Sequence, residues 1–157
     1  MKDQMDDQLV LRVVAKWLIP PILVFGCYII THGEIGPGGG FQGGVVLASA
    51  FILYALIYGR EALHRAFPRI VWETLAAVGC LIFSGIGLYS LLRGGAFLDY
   101  TWLMPSHPAH GEPWGMSLVE YGVGFTVCSV MVLIYDMVSE PNDAEAEAGT
   151  TGKGGEG

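Results

Sequence analysis

The sequence predicts an all-α integral membrane protein with four transmembrane helices, and three observations lead there. Just over half of the 157 residues are apolar and only 15% are charged, so the mean hydropathy is clearly positive. The charges crowd into the first sixteen residues, the stretch 60–69 and the tail after Asp136. Between them lie four uncharged or nearly uncharged runs. Each is close to the roughly 20 residues that a helix rising 1.5 Å per residue needs to cross a hydrocarbon core about 30 Å thick.

The first span covers about residues 9–31, with Arg12 and Lys16 near its start and Pro20-Pro21 inside it. Two consecutive residues without an amide hydrogen predict a kink or break there, as a static bend or as a hinge. Lipid tolerates such a site where neighbouring helices or water satisfy the freed carbonyls. The second span covers 41–58, the third 72–92 and the fourth 118–138. Trp17, Tyr58, Trp72, Trp114 and Tyr135 stand near span ends, where amphipathic rings favour the headgroup layer. Residues 139–157 carry Glu140, Asp143, Glu145, Glu147 and Glu156 among Ala, Gly and Thr. With little apolar surface to bury, this acidic tail is expected to be disordered. It supplies much of the net charge of −7 and argues against nucleic-acid binding.

An even number of spans puts both termini on one side. Lys2, Arg12, Lys16, Arg60, Arg65, Arg69 and Lys153 then share that side, and only Arg93 lies on the other. The excess of Lys and Arg marks the cytoplasmic face. A multi-pass membrane protein with both termini in the cytoplasm is therefore expected. The loop after the first span and residues 93–117 face outward or dip into the membrane from outside.

That first loop reads HGEIGPGGGFQGG from His32 to Gly44. Within it, residues 38–43 match G-x-G-x-x-G, the spacing of a dinucleotide-binding turn. Nucleotide binding also needs a preceding strand and a following amphipathic helix. Here the glycines lead into an almost wholly apolar run, no lysine follows them, and Glu61 falls at the opposite membrane face. The match is a coincidence of glycine density. In membrane terms the glycines make more sense: Pro37 suits the first turn of a helix. Gly36, Gly40, Gly44 and Ala48 recur every four residues as one flat stripe, with Gly39 and Gly43 as a second small face. Small residues at this spacing let another helix approach closely in lipid. Alternatively, the segment is a thinly shielded helix start whose N–H groups line an aqueous cavity with Gln42.

P-G-G-G-F-Q-G-G opening a second span resembles the signature of the B subunit of Mrp-type cation/proton antiporters. The resemblance extends to the preceding span, to GAFLDYTWL and to SLVEYGVGFTV, but not to the N-terminal residues or the acidic tail. One departure is visible. Many members carry a G-H-x-x-P arrangement before the glycines, whereas this chain has Gly33-Glu34 there and His32 one residue earlier.

An ionisable group inside a span is costly, and it marks a candidate functional site. Glu120 stands two residues into the fourth span, with Gly124 one turn on along the same face. A desolvated carboxylate can exchange a proton or accept a sodium ion; the alternative is an interfacial carboxylate bonded to a partner subunit. Gln42 and Glu34 are the further ion-path candidates. Glu73 is placed to pair with Arg69 at i−4, and Asp136 is expected to have a structural or interfacial role. His107 and His110 have a ligand-like spacing, but their loop offers no third histidine or cysteine, so no metal site is expected. Cys27, Cys80 and Cys128 lack C-x-x-C spacing and are expected to be packing residues. Neither a cofactor nor a catalytic set is predicted.

So few central charges on four helices do not make a complete ion-exchange path, which predicts one subunit of a larger membrane complex. The resemblance implies a non-enzymatic subunit of a Na⁺/H⁺ antiporter, with other Mrp-type subunits as partners. Similar B-type subunits also occur in membrane-bound hydrogenases, so a redox-driven ion pump is the alternative. A scaffold that contributes packing alone is a third.

Overall fold

The computed structural model describes residues 2–33, 38–100 and 108–151, with side chains for 10–33, 38–100 and 113–139. Five helices follow in order: α1 (Lys2–His32), α2 (Gly40–Tyr58), α3 (Arg60–Ala66), α4 (Arg69–Leu92) and α5 (Pro108–Thr151). Among the described residues, four stretches are long and apolar enough to cross a membrane: Val10–His32, Gly40–Tyr58, Arg69–Leu92 and Pro113–Ser139. The four predicted spans are therefore present. The fourth lies within α5, whose helix opens at Pro108, a position where the missing amide hydrogen costs nothing.

Three features stand beside the sequence reading. α1 runs unbroken through Pro20 and Pro21. Both prolines are exposed, and the flanking helical hydrogen bonds carry the helix past the two missing donors. The charged stretch after α2, to which the sequence reading gave no structure, forms the short helix α3, and Leu63 anchors it with only 2% of its surface exposed. The α5 backbone continues as helix to Thr151, into the acidic segment expected to be disordered; the Ala and Glu of that segment are good helix formers.

α1 and α2 are antiparallel, as are α4 and α5, whereas α2 and α5 run parallel. The register of the parallel pair is set by glycine. A Cβ on Gly44 would stand 2.7 Å from the Gly124 carbonyl oxygen, and one on Gly40 would overlap the Glu120 carbonyl. Each step of four residues on α2 thus matches a step of four on α5. Gly43 faces α1 instead, where a Cβ would stand 2.8 Å from the Gly26 carbonyl oxygen. α4 reaches α5 through Gly79, whose place against Gly122 and Thr126 leaves no room for a side chain. The Thr126 hydroxyl lies 2.9 Å from the Gly122 carbonyl of its own helix and 3.3 Å from the Ala76 carbonyl of α4. In lipid no hydrophobic force drives helices together, so this backbone-level contact holds the bundle.

Ile30, Leu47, Ala48, Ala55, Leu63, Trp72, Cys128 and Val132 form the buried centre. Phe51 packs edge-on against Trp72, with centroids 4.9 Å apart, which closes the bundle at the α3 end. The outer surface is strongly apolar: Trp17, Val24, Leu81 and Leu92 are each at least 70% exposed, as befits faces turned to lipid or to other membrane chains.

Candidate functional site

The parallel register of α2 and α5 brings Glu120 to the first residue of α2, beside the loop that follows α1. Glu120 is half-buried, and its Oε2 has no solvent contact. Three glycines make the space. A Cβ on Gly33 would stand 2.6 Å from Oε2 and 2.7 Å from Oε1, and one on Gly39 would stand 3.9 Å from Oε1. Gly40 lies directly against the Glu120 backbone. The carboxylate therefore sits on bare backbone where α1 ends and α2 begins.

Gly39 makes that junction possible. Its φ of 138° is open only to glycine. In this conformation its N–H donates to the Ile29 carbonyl at 3.3 Å, while its own carbonyl accepts the Gly43 N–H at 3.0 Å. The first turn of α2 is thus tied to the last turns of α1. The opening amides of α2 have no intrahelical acceptors, and Glu120 stands at the same junction, beside the C-terminal end of α1.

The segment after α4 delivers a fourth element. Residues 93–100 fold back on α4, where the Ser90 hydroxyl lies within 3.0 Å of the Asp99 carbonyl. The ring of Phe97 fills the place where Gly87 has no side chain, and Leu98 adopts a φ of 62°. Tyr100 then lies against α5 at Gly115, where a Cβ would be 2.5 Å from its ring. Burial, and next the charge of Glu120, hold the Tyr100 phenol above its ordinary value. Tyr100 was visible in the sequence only as part of GAFLDYTWL; nothing local pointed from it to Glu120.

The other predicted residues divide. Gly40, Gly44 and Gly124 lie at the α2–α5 seam and Gly43 at the α1–α2 seam, while Ala48 is buried with 1% exposed. Gln42 is exposed on the first turn of α2. Glu34, Gly36 and Pro37 lie outside the described residues, as does His107. Cys128 is buried, but Cys27 and Cys80 face outward. Among the described residues no group of three or more His, Cys, Asp or Glu side chains is arranged to hold a metal ion.

At the opposite end of the bundle stands a cluster that sequence reasoning missed. Asp136, buried in α5, receives the Arg60 Nε at 2.5 Å and stands 2.6 Å from the His64 Nε2, both on its Oδ1. Arg60 and His64 are one turn apart on α3, a spacing that could have flagged a shared partner. Arg69 and Glu73 pair at 2.8 Å along the α4 surface.

Residues 10–133 match a family described as "Domain related to MnhB subunit of Na+/H+ antiporter". The chain is also 33% identical over 133 residues to a protein of Staphylococcus aureus (strain Newman) named "Putative antiporter subunit mnhB2". That alignment covers 82% of this chain and 92% of the relative. The proteins of the same name from strains JH1 and Mu3 align equally well. The match takes in Gly33, the glycines that open α2, Tyr100 and Glu120, and the chain belongs to the MnhB family, the B subunits of Mrp-type antiporters.

Proposed function

We propose that this chain is a non-enzymatic membrane subunit of a multisubunit Na⁺/H⁺ antiporter. The single observation that carries this is the family match over residues 10–133, which includes almost all of the four-span bundle. The relatives are named as antiporter subunits. The apolar outer surface of the bundle fits an origin among other membrane chains and lipid.

Within such a complex, Glu120 contributes to the ion path. A carboxylate seated on glycine backbone, with one oxygen shielded from solvent, can take up a proton or a sodium ion at little steric cost. Both termini face the cytoplasm of a prokaryotic cell in this proposal, with the Glu120 end outward, an orientation that the Lys and Arg distribution supports. Protease or thiol-labelling mapping that places residues 139–157 outside would overturn that orientation.

Affinity purification in mild detergent, followed by mass spectrometry of the co-purifying chains, tests the assignment. Multi-span antiporter-like subunits alone are the expected result. Iron–sulfur or hydrogenase subunits in the same complex would overturn it in favour of a redox-driven pump.

A further inference from the structure

We propose that the first turns of the α1 span and the end of α2 form a binding site for the phosphate of an anionic phospholipid, held by Arg12 and Lys16. A cavity of about 190 Å³ opens between the two helices there, lined by Leu11, Arg12, Leu56 and Ile57. Among these described residues three are apolar and the fourth is a cation. Lys16 stands one turn further along α1 and is exposed, as Arg12 is. Side chains on a helix lean toward its N-terminus, so the Lys16 stem leads back toward Arg12 while its ammonium seeks the headgroup layer. On their own helix neither cation has an acidic residue within one turn: Gln8, Leu9 and Ala15 flank Arg12, and Val13, Ile19 and Pro20 flank Lys16. Two cations on one helix face attract a phosphate, and a guanidinium grips it with two parallel hydrogen bonds.

The cavity lies at headgroup depth. Tyr58, the last residue of α2, donates its hydroxyl hydrogen to the Arg12 carbonyl at 3.2 Å, and Trp17, beside Lys16, is 78% exposed. Rings of both kinds favour the boundary between hydrocarbon and headgroups. The Tyr58 bond ties α1 to the end of α2, so the gap between them is built into the fold. Leu11 and Leu56 are exposed and join the cavity to the apolar outer surface, where acyl chains lie. These features select the occupant. A soluble phosphate would use the cations but not the apolar walls. A zwitterionic headgroup would bring its own ammonium beside two cations. An acidic side chain of a neighbouring helix would have to be carried into the span, which is costly, whereas an anionic lipid supplies its charge at this depth.

Photo-crosslinking in the purified complex tests the site. The probes are phosphatidylglycerol and phosphatidylcholine carrying the same photoreactive group, and mass spectrometry maps the labelled peptides. Phosphatidylglycerol should label residues 10–17 and 54–58 at least about fivefold more than phosphatidylcholine, roughly the contribution of one basic residue near a membrane surface. Unlabelled phosphatidylglycerol should compete, and inorganic phosphate should not. Arg12→Gln combined with Lys16→Gln should bring the two probes to equal labelling. Arg12→Lys combined with Lys16→Arg keeps both charges and should retain the preference. Arg93→Gln, at the other end of the bundle, should leave it unchanged. If the double Gln variant does not accumulate, Lys16→Gln alone decides through a reduced preference. Equal labelling of the wild type by both lipids overturns the proposal, as does a preference that survives loss of the charges. Full competition by inorganic phosphate, or no label on these segments, overturns it as well. The readout needs no transport, so a complex that fails to exchange sodium for protons leaves this result standing.

Discussion

The carboxylate of Glu120 rests on the Cα of Gly33, so closely that a methyl group there would stand 2.6 Å from Oε2 and 2.7 Å from Oε1. The two residues are remote in sequence, one at the end of α1 and the other in α5. Their contact requires glycine at 39, just before α2, and at 40, its first residue, since any larger residue at 40 would hold the Glu120 backbone away. Gly33→Ala should therefore displace the carboxylate while leaving the helices in place. Sodium-dependent proton exchange in inverted vesicles should fall about tenfold, with the complex still purified intact, since a misplaced carboxylate loses the geometry that an ion needs. Gly85→Ala, where a Cβ meets nothing within 4 Å, is the matched control and should transport normally. Equal activity in the two variants would show that the seat is not needed.

Replacing the charge tests the same residue in another way. Glu120→Gln retains shape and hydrogen-bonding capacity but can neither release a proton nor attract a cation. Transport should drop by about tenfold or more while subunit composition stays constant. Full transport by the Gln variant would leave Glu120 as an interfacial carboxylate only.

Tyr100 reports on Glu120 from outside the spans. Its phenol is held above the ordinary value of 10.0, chiefly by burial and next by the Glu120 charge. A raised value in the folded state means that stability is fully present below the unfolded value and is lost as pH climbs from about 10 through the folded value. Difference absorbance of the phenolate should show a late-titrating tyrosine that Tyr100→Phe removes. In Glu120→Gln that step should move down but not back to the ordinary range, because burial, the larger cause, remains. No movement at all would separate the two residues electrostatically.

Close packing between α4 and α5 depends on Gly79, where a Cβ would collide with the Thr126 hydroxyl and the Gly122 carbonyl. Gly79→Ala should lower the thermal stability of the purified complex by the roughly 1–3 kcal/mol typical of overpacking. Gly79→Leu should prevent the chain from accumulating. Thermal melting by tryptophan fluorescence and membrane yield provide the readouts, and a fully stable Leu variant would contradict the contact.

Pro20 and Pro21 lie in an unbroken α1 on an exposed face. Replacing both by Ala restores two helical hydrogen-bond donors, and transport should be unchanged if the prolines only shape the helix. Lost transport in a stably assembled Pro20→Ala/Pro21→Ala complex would identify them as a hinge instead.

The features legible in the sequence were those with local causes. Span number and approximate limits follow from runs such as 41–58, because a membrane demands an unbroken apolar stretch wherever the chain crosses it. The Arg69–Glu73 pair follows from one turn of helix. Glu120 was conspicuous as a carboxylate inside an apolar run, although Tyr100, its electrostatic neighbour, was not. The glycines of α2 announced close packing without naming a neighbour: Gly40 and Gly44 meet α5, while Gly43, one residue from Gly44, meets α1.

Composition and hydropathy alone determined that this chain carries four helical stretches long and apolar enough to cross a membrane, the second of them opening on glycine. Only the tertiary structure decided which helix faces which. It set α2 against α5, laid Glu120 on Gly33 and joined Asp136 to Arg60 and His64 across 76 and 72 residues of chain. The physical reason is that lipid rewards any apolar surface equally, so hydrophobicity sets the spans but not their neighbours. Neighbours are chosen by shape and by the pairing of buried charges, and both depend on residues far apart in the sequence.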